Sequence, residues 1–198
     1  MKRIAAFDFD GTITRKDTLI EFLRFAGGSA RFYAVFALYS PLLVLMKLKL
    51  YSNQKAKEKI FAHYFKDIPL EQFNDLCRRF SEQKGQPLVY ADAKTQIAKH
   101  KAQGDEVIII SASIENWVYH FAEALKADKL LATQVEVQDG KITGRFLTAN
   151  CYGKEKVKRL LSAYPERDKY YLIAYGDSRG DKELLQFADE QHYKQFVK

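Results

Sequence analysis

Two cysteines, four prolines and one tryptophan are all that 198 residues hold of those types, and each scarcity excludes something. Cys77 and Cys151 stand far apart without metal-ligand spacing, which argues against a disulfide framework or a zinc site and fits a reducing compartment. A continuous apolar stretch of the roughly 20 residues that a spanning helix needs is missing. The charge-free run at 32–46, FYAVFALYSPLLVLM, ends after 15 residues and has Pro41 in its middle. It is expected to lie on a membrane or beneath a lid rather than to cross a bilayer. A secretory signal is not legible at the start, because Lys2 and Arg3 precede only four apolar residues before Asp8, so the expected location is the cytoplasm. Acidic residues are also in deficit. Against 32 Lys and Arg there are 25 Asp and Glu, a net +7, so the surface should attract anions: phosphorylated metabolites, nucleic acid or an acidic membrane face.

What the chain has in quantity is aromatic and aliphatic mass. Fourteen Phe, 12 Tyr and a hydrophobic share of 47% suffice for the core of one domain, or of a domain with a smaller insertion. The stretch from Ile4 to Phe9 reads as a strand. Residues 17–26 then read as a helix with an apolar stripe of Leu19, Ile20, Phe22, Leu23 and Phe25, stopped by Gly27 and Gly28. The pattern stays helical to residue 84, including 70–80, and a helix resumes over 91–101 after Pro87. From 106 the period changes. Residues 106–110 end in VIII, as a buried parallel strand does, with Ser111 at its end before a helix over 115–126. Strands at 131–138 and 141–146 flank Asp139-Gly140, a hairpin signal. A helix at 153–163, a strand at 170–175 and a helix at 181–188 complete the chain. Alternating strands and helices predict an α/β fold with an open, mostly parallel sheet and a ligand site beyond the carboxyl ends of its strands. Asp8 and Ser111 are 103 positions apart, whereas a strand–helix–strand unit needs about 30. An inserted helical cap over 17–86, within a core made of 1–16 and 87–198, accounts for the surplus.

Four polar clusters fall at strand ends or helix starts: DFDGT at 8–12, SAS at 111–113, GKEK at 153–156 and GDSRGD at 176–181. In a strand, Asp8 and Asp10 share a face about 6.6 Å apart and repel by roughly 2.5 kcal/mol at an effective dielectric of 20. That repulsion favours one ionised and one protonated acid, the division that a nucleophile and a proton donor require. Singly, each cluster has a plain reading: a capped turn, an N-cap serine, a surface lysine, a solvated loop. All four in this order form a phosphate and metal constellation.

The set resembles the haloacid dehalogenase superfamily of phosphohydrolases, and VEVQDGKITGRF resembles the hairpin of its phosphoserine phosphatase-like branch, subfamily IB. The resemblance implies a Rossmann-like core and a cap inserted after the first strand. It implies that Asp8 is the nucleophile and forms an aspartyl phosphate, and that Asp10 is the general acid and base. Mg²⁺ would be held by the Asp8 carboxylate, the Asp10 carbonyl and Asp177. Ser111, the N–H of Ala112 at a helix start and the ammonium of Lys154 would bind phosphate. Asp181 would orient the lysine or a metal-bound water, and Thr12 would hydrogen-bond near the nucleophile.

Within that superfamily the cap selects substrate. Asp17 lies where phosphoserine phosphatases carry an acid for the substrate amine, although an acid there also caps a helix. The apolar run at 32–46 leads into KLKLYSNQKAKEK, with Lys47, Lys49, Lys55, Lys57 and Lys59, an arrangement suited to an anionic bilayer. A buried cap helix with a solvated basic end would read the same. The long apolar cap and CYGKEKV are similar to those of bacterial phosphatidylglycerophosphatase C proteins, which implies a lipid phosphate as substrate. The alternatives are a soluble small-metabolite phosphatase and a noncatalytic phosphate-binding protein. Nucleic-acid binding rests on charge alone and is not expected.

Overall fold

The computed structural model describes residues 1–197; Lys198, which falls in the expected core range, lies outside them. Five parallel strands form the central sheet in the order β3-β2-β1-β6-β7: β1 (Lys2–Phe7), β2 (Glu106–Ile114), β3 (Lys129–Thr133), β6 (Tyr170–Gly176) and β7 (Glu190–Tyr193). The sheet is apolar on both faces because side chains alternate along each strand. Ala5 and Phe7 of β1, Val107 and Ile109 of β2, and Ile173 and Tyr175 of β6 enter one hydrophobic cluster. Their neighbours Ile4, Ala6, Ile108, Ile110, Leu172 and Ala174 enter the other. With β1 paired to β2 on one side and β6 on the other, the carboxyl ends of the central strands converge. One change of direction and one strand were not legible in the sequence. The expected strand at 131–138 is two strands: β3 runs parallel to β2, then β4 (Val135–Gln138) turns away to pair antiparallel with β5 (Lys141–Phe146). A period of two reads alike on both sides of Gln134. The edge strand β7, EQHY, is too polar to announce itself.

Between β1 and α4 (Ala91–Ala102) stand three helices: α1 (Thr18–Lys47), α2 (Asn53–Phe65) and α3 (Leu70–Leu88). The expected stop at Gly27-Gly28 is a kink: Gly28 adopts φ 70° and ψ 169°, and the helix resumes beyond it. Phe22, Phe61, Phe65, Phe73 and Phe80 fill the space between these helices. Where the chain leaves and re-enters the sheet, the two crossings are zipped together. Arg15 N–H donates to the Leu88 carbonyl at 2.8 Å and Tyr90 N–H to the Ile13 carbonyl at 2.9 Å. The β4–β5 hairpin turns on Asp139 and Gly140, both at positive φ, as a tight hairpin requires. It moors the insertion from the other side: Asp67 N–H donates to Ile142, and Ile142 N–H donates to Ile68. The remaining α-helices among the described residues are α5 (Glu115–Ala124), α6 (Lys154–Ala163) and α7 (Lys182–Phe187).

Candidate active site

Asp8 follows the last residue of β1 and is 6% exposed, and its N–H donates to the Tyr175 carbonyl at 2.9 Å. The chain then turns through Gly11 at φ 85°, where a Cβ would run into the Asp177 carboxylate, so glycine is needed for close approach as well as for the turn. Thr12 Oγ1 reaches Asp8 Oδ2 at 3.2 Å and Asp177 Oδ1 at 3.4 Å. Carboxylate oxygens of Asp8, Asp177 and Asp181 lie within 4.8 Å of one another.

The lysine among them is Lys156, not Lys154. Lys156 is 1% exposed, and its ammonium donates to Asp8 Oδ1 and, at 2.6 Å, to Asp181 Oδ1. Lys154 opens α6 on the surface beside Val157, Leu161 and Glu183. At 100° per residue the two lysines differ by about 200° around the helix, so only one can face the sheet. The decision rests on Leu160, fully buried and one turn beyond Lys156. Lys154 shares its face with Val157 and Leu161, three and seven residues on and only half-buried, so the expected phosphate-site lysine is corrected from Lys154 to Lys156.

Both oxygens of Asp181 are already engaged. Its Oδ1 holds Lys156, while its Oδ2 accepts from the N–H groups of Asp177 and Ser178 at 3.2 and 3.0 Å and from Ser178 Oγ at 2.8 Å. It therefore orients the buried lysine and the Asp177 loop, and the expected part of orienter passes from Lys154 to Lys156.

Asp10 sits in different surroundings. Its Oδ1 accepts from Thr18 N–H at 2.7 Å and Thr18 Oγ1 at 2.6 Å, and its Oδ2 from Ser113 Oγ at 2.5 Å. Thr18 is in turn held by Trp117 Nε1 at 3.1 Å. Thr18, Ser113 and Trp117 were not singled out as site residues. The second serine of SAS and a threonine beside Asp17 carried too little signal. Ser111 is fully buried two residues beyond Ile109, the partner of Phe7, and its Oγ accepts from Ser113 N–H at 3.0 Å. It does not stand at a helix start, nor does Ala112. Strand β2 continues past both, through an irregularity in its pairing with β3, to Ile114. Asp17 is the N-cap of α1, its Oδ1 accepting from Ile20 N–H at 3.2 Å.

These surroundings set the charges. Burial pushes the Asp8 carboxyl up to about 7, against the pull of Lys156. Burial, followed by the nearby charge of Asp17, pushes Asp10 up to about 6 despite the donors from Ser113 and Thr18. Asp177 is raised by burial and by Asp181. Burial opposes the charge on Asp181, but Lys156 outweighs it and holds that carboxyl below its ordinary range. Burial likewise opposes the Lys156 charge, and Asp8 and Asp181 hold its pKa above the ordinary lysine value. One ammonium, in contact with Asp8 and Asp181, thus stands among three gathered carboxylates, a set whose oxygens suit a cation.

Residues 5–186 match the family of haloacid dehalogenase-like hydrolases. The chain belongs to that family. Protein CicA of Caulobacter vibrioides is 34% identical over 98% of this haloacid dehalogenase-like chain and 86% of its own. A phosphoserine phosphatase of Methanocaldococcus jannaschii is 25% identical over 94% of this chain and 82% of its own. A crystal structure of a Bordetella pertussis Tohama I protein of unknown function shares the fold with a TM-score of 0.82 at 21% identity, covering 96% of this chain and 89% of that one. This haloacid dehalogenase-like enzyme is a hydrolase with phosphatases among its relatives, and its fold has the family's parallel sheet and helical insertion.

Proposed function

We propose that this chain is a Mg²⁺-dependent phosphomonoesterase that works through an aspartyl phosphate. The observation that carries the reading is the contrast between its two leading acids. Asp8 touches the Lys156 ammonium and stands beside Asp177, whereas Asp10 is held by the neutral donors of Thr18 and Ser113. An oxygen-only set of Asp8, Asp177 and the Asp10 carbonyl fits a hard divalent cation. When bound, Mg²⁺ would supply charge neutralisation for the phosphoryl oxygens and would hold Asp8, which without it titrates above Asp10, in the ionised form. A carboxylate oxygen of Asp8 attacks phosphorus, and the ester oxygen leaves with the proton of Asp10. Water then attacks the same phosphorus, Asp10 takes its proton, and the Asp8–phosphate bond breaks to release phosphate. Lys156 offsets charge at Asp8 throughout, with Asp181 fixing its position. The hydroxyl of Ser111 and the N–H of Ala112 are the phosphate-oxygen donors in this reading.

The substrate reading follows from the cap. The far half of α1 and the turn after it expose Tyr33, Leu38, Val44, Leu45, Leu48 and Leu50. By length and composition α1 is long and apolar enough to cross a membrane, with 11% of its apolar window buried. The break at Gly28, Pro41 and the flanking Lys47, Lys49, Lys55, Lys57 and Lys59 favour a helix resting on an anionic bilayer at the cytoplasmic face. A lipid phosphate, such as that of phosphatidylglycerophosphate, is the substrate such a surface would meet. A soluble amino-bearing phosphomonoester is the second reading, favoured by the likeness to phosphoserine phosphatase and by the closeness of Asp17 to Asp10. Because Asp17 also caps α1, it carries that reading less far. Phosphate release with Mg²⁺ from lipid and soluble monoesters side by side tests both. Turnover of phosphoserine without lipid phosphate would remove the lipid reading, and undiminished release by Asp8→Asn would remove the mechanism.

A further inference from the structure

Beneath the candidate site, on the face of the sheet covered by α4, a buried polar chain takes no part in the chemistry above. Asp105, His100 and Tyr175 are each at most 4% exposed. His100 Nδ1 lies 2.7 Å from Asp105 Oδ2. A carboxylate only accepts, so Nδ1 carries the hydrogen, and Nε2, which faces the donor nitrogen of the Gln96 amide at 3.2 Å, is left to accept from the Tyr175 hydroxyl at 2.9 Å. The Gln96 amide donates to the same hydroxyl at 3.2 Å, and Arg3 Nε holds the other oxygen of Asp105 at 3.2 Å. Each member of the chain is satisfied, and such a network is rigid.

Tyr175 is also where β6 grips β1. Its ring stacks on Phe7 at 4.2 Å between centroids and 1° between planes, and its carbonyl accepts from Asp8 N–H at 2.9 Å. Phe7 immediately precedes Asp8, and Tyr175 lies two residues before Asp177. For packing alone, phenylalanine would serve at position 175 among Phe7 and Phe196, without the cost of burying a hydroxyl, an imidazole and a carboxylate. We propose that the Asp105–His100–Tyr175 chain is a positioning device that fixes the ends of β1 and β6, and with them the placement of Asp8 and Asp177. His100, Asp105 and Tyr175 touch no reacting atom. The proposal rests on the phosphatase reading for its kinetic arm and on the clustered carboxylates for its binding arm.

Tyr175→Phe in the whole chain keeps the ring and removes the hydroxyl. Tyr170→Phe is the comparison: the same strand, the opposite face, and a buried hydroxyl that donates to the Tyr164 carbonyl at 3.4 Å. With p-nitrophenyl phosphate and Mg²⁺, Tyr175→Phe should lower kcat roughly 10- to 100-fold with KM held within about twofold, and Tyr170→Phe should leave both within about twofold. The Mg²⁺ concentration that half-protects the chain against thermal unfolding should rise about fivefold for Tyr175→Phe and stay level for Tyr170→Phe. His100→Gln, whose amide can donate to Asp105 and accept from Tyr175, should retain most of kcat, and His100→Leu should match Tyr175→Phe. Equal kinetic losses in the two tyrosine variants, or an unchanged Mg²⁺ midpoint in Tyr175→Phe, would overturn the proposal. If the unaltered chain released no phosphate, the phosphatase reading would fall, and the Mg²⁺ midpoints would still decide the positioning role.

Discussion

A buried lysine shared by two buried carboxylates is the residue on which the site depends most. Lys156→Met leaves Asp8 and Asp181 facing each other without a counter-charge, so stability should drop by about 3–5 kcal/mol, and activity should be lost. Lys154→Met, on the surface of the same helix, should stay within about 0.5 kcal/mol and keep its turnover. Thermal unfolding and phosphate release on the pair decide between the two lysines of GKEK. Asp10 makes a different prediction. Its folded pKa of about 6 lies above its ordinary value of 3.8, so the folded chain binds this proton more tightly than the unfolded one. Below the ordinary range the carboxyl is neutral in both states. As pH rises from there through 6 the group works increasingly against folding. Asp10→Asn should therefore gain about 1–2 kcal/mol at pH 8, a gain that shrinks towards pH 4, while turnover falls at least about 100-fold. Melting curves at the two pH values check the sign. At this scale the places of Asp8, Asp10 and Asp177 after the ends of β1 and β6 were legible because their clusters occur together with SAS and GKEK in one order along the chain. Thr18 and Ser113 were not, because a hydroxyl that orients a carboxylate looks in sequence like any other hydroxyl.

Among the elements, the β4–β5 hairpin does more than close a turn. Gly144, at φ 87°, lies so close to α2 that a Cβ would come 2.5 Å from that of Ala62, and Phe146 N–H donates to Glu58 Oε1 at 3.0 Å. The hairpin and the insertion are thereby one packed unit, joined to the sheet at the zipped crossings near Ile13 and Tyr90. Gly144→Ala should cost about 2–3 kcal/mol through overpacking and a left-handed backbone that alanine resists. Chemical denaturation measures the cost, and susceptibility of the 48–52 turn to protease should rise with it. The hairpin itself was visible in Asp139-Gly140. Its partner was not, since nothing in a hairpin sequence says which helix will lie against it.

Over the whole molecule, charge and apolar surface are distributed unevenly. Six large apolar side chains are exposed between residues 33 and 50, and five lysines stand among and after them, from Lys47 to Lys59. Neutralising Lys47, Lys49, Lys55, Lys57 and Lys59 together should strongly weaken flotation with vesicles containing anionic lipid, each lysine contributing about 1 kcal/mol near the surface. Activity on a soluble monoester should be unchanged. Retained flotation would mean that the apolar face alone holds the membrane, and no flotation by the unaltered chain would remove the membrane reading.

The α/β class, the helical insertion and the order of the four polar clusters were already present in the linear chain. They depend on local periodicity, on turn chemistry and on distances along the chain, which survive without knowledge of neighbours. Which lysine meets Asp8, where β3 ends and β4 begins, and which hydroxyls hold Asp10 depend on contacts outside the local period, from Thr18–Asp10 at 8 positions to Lys156–Asp8 at 148. Periodicity marks the face a side chain occupies, but only packing chooses what that face will meet.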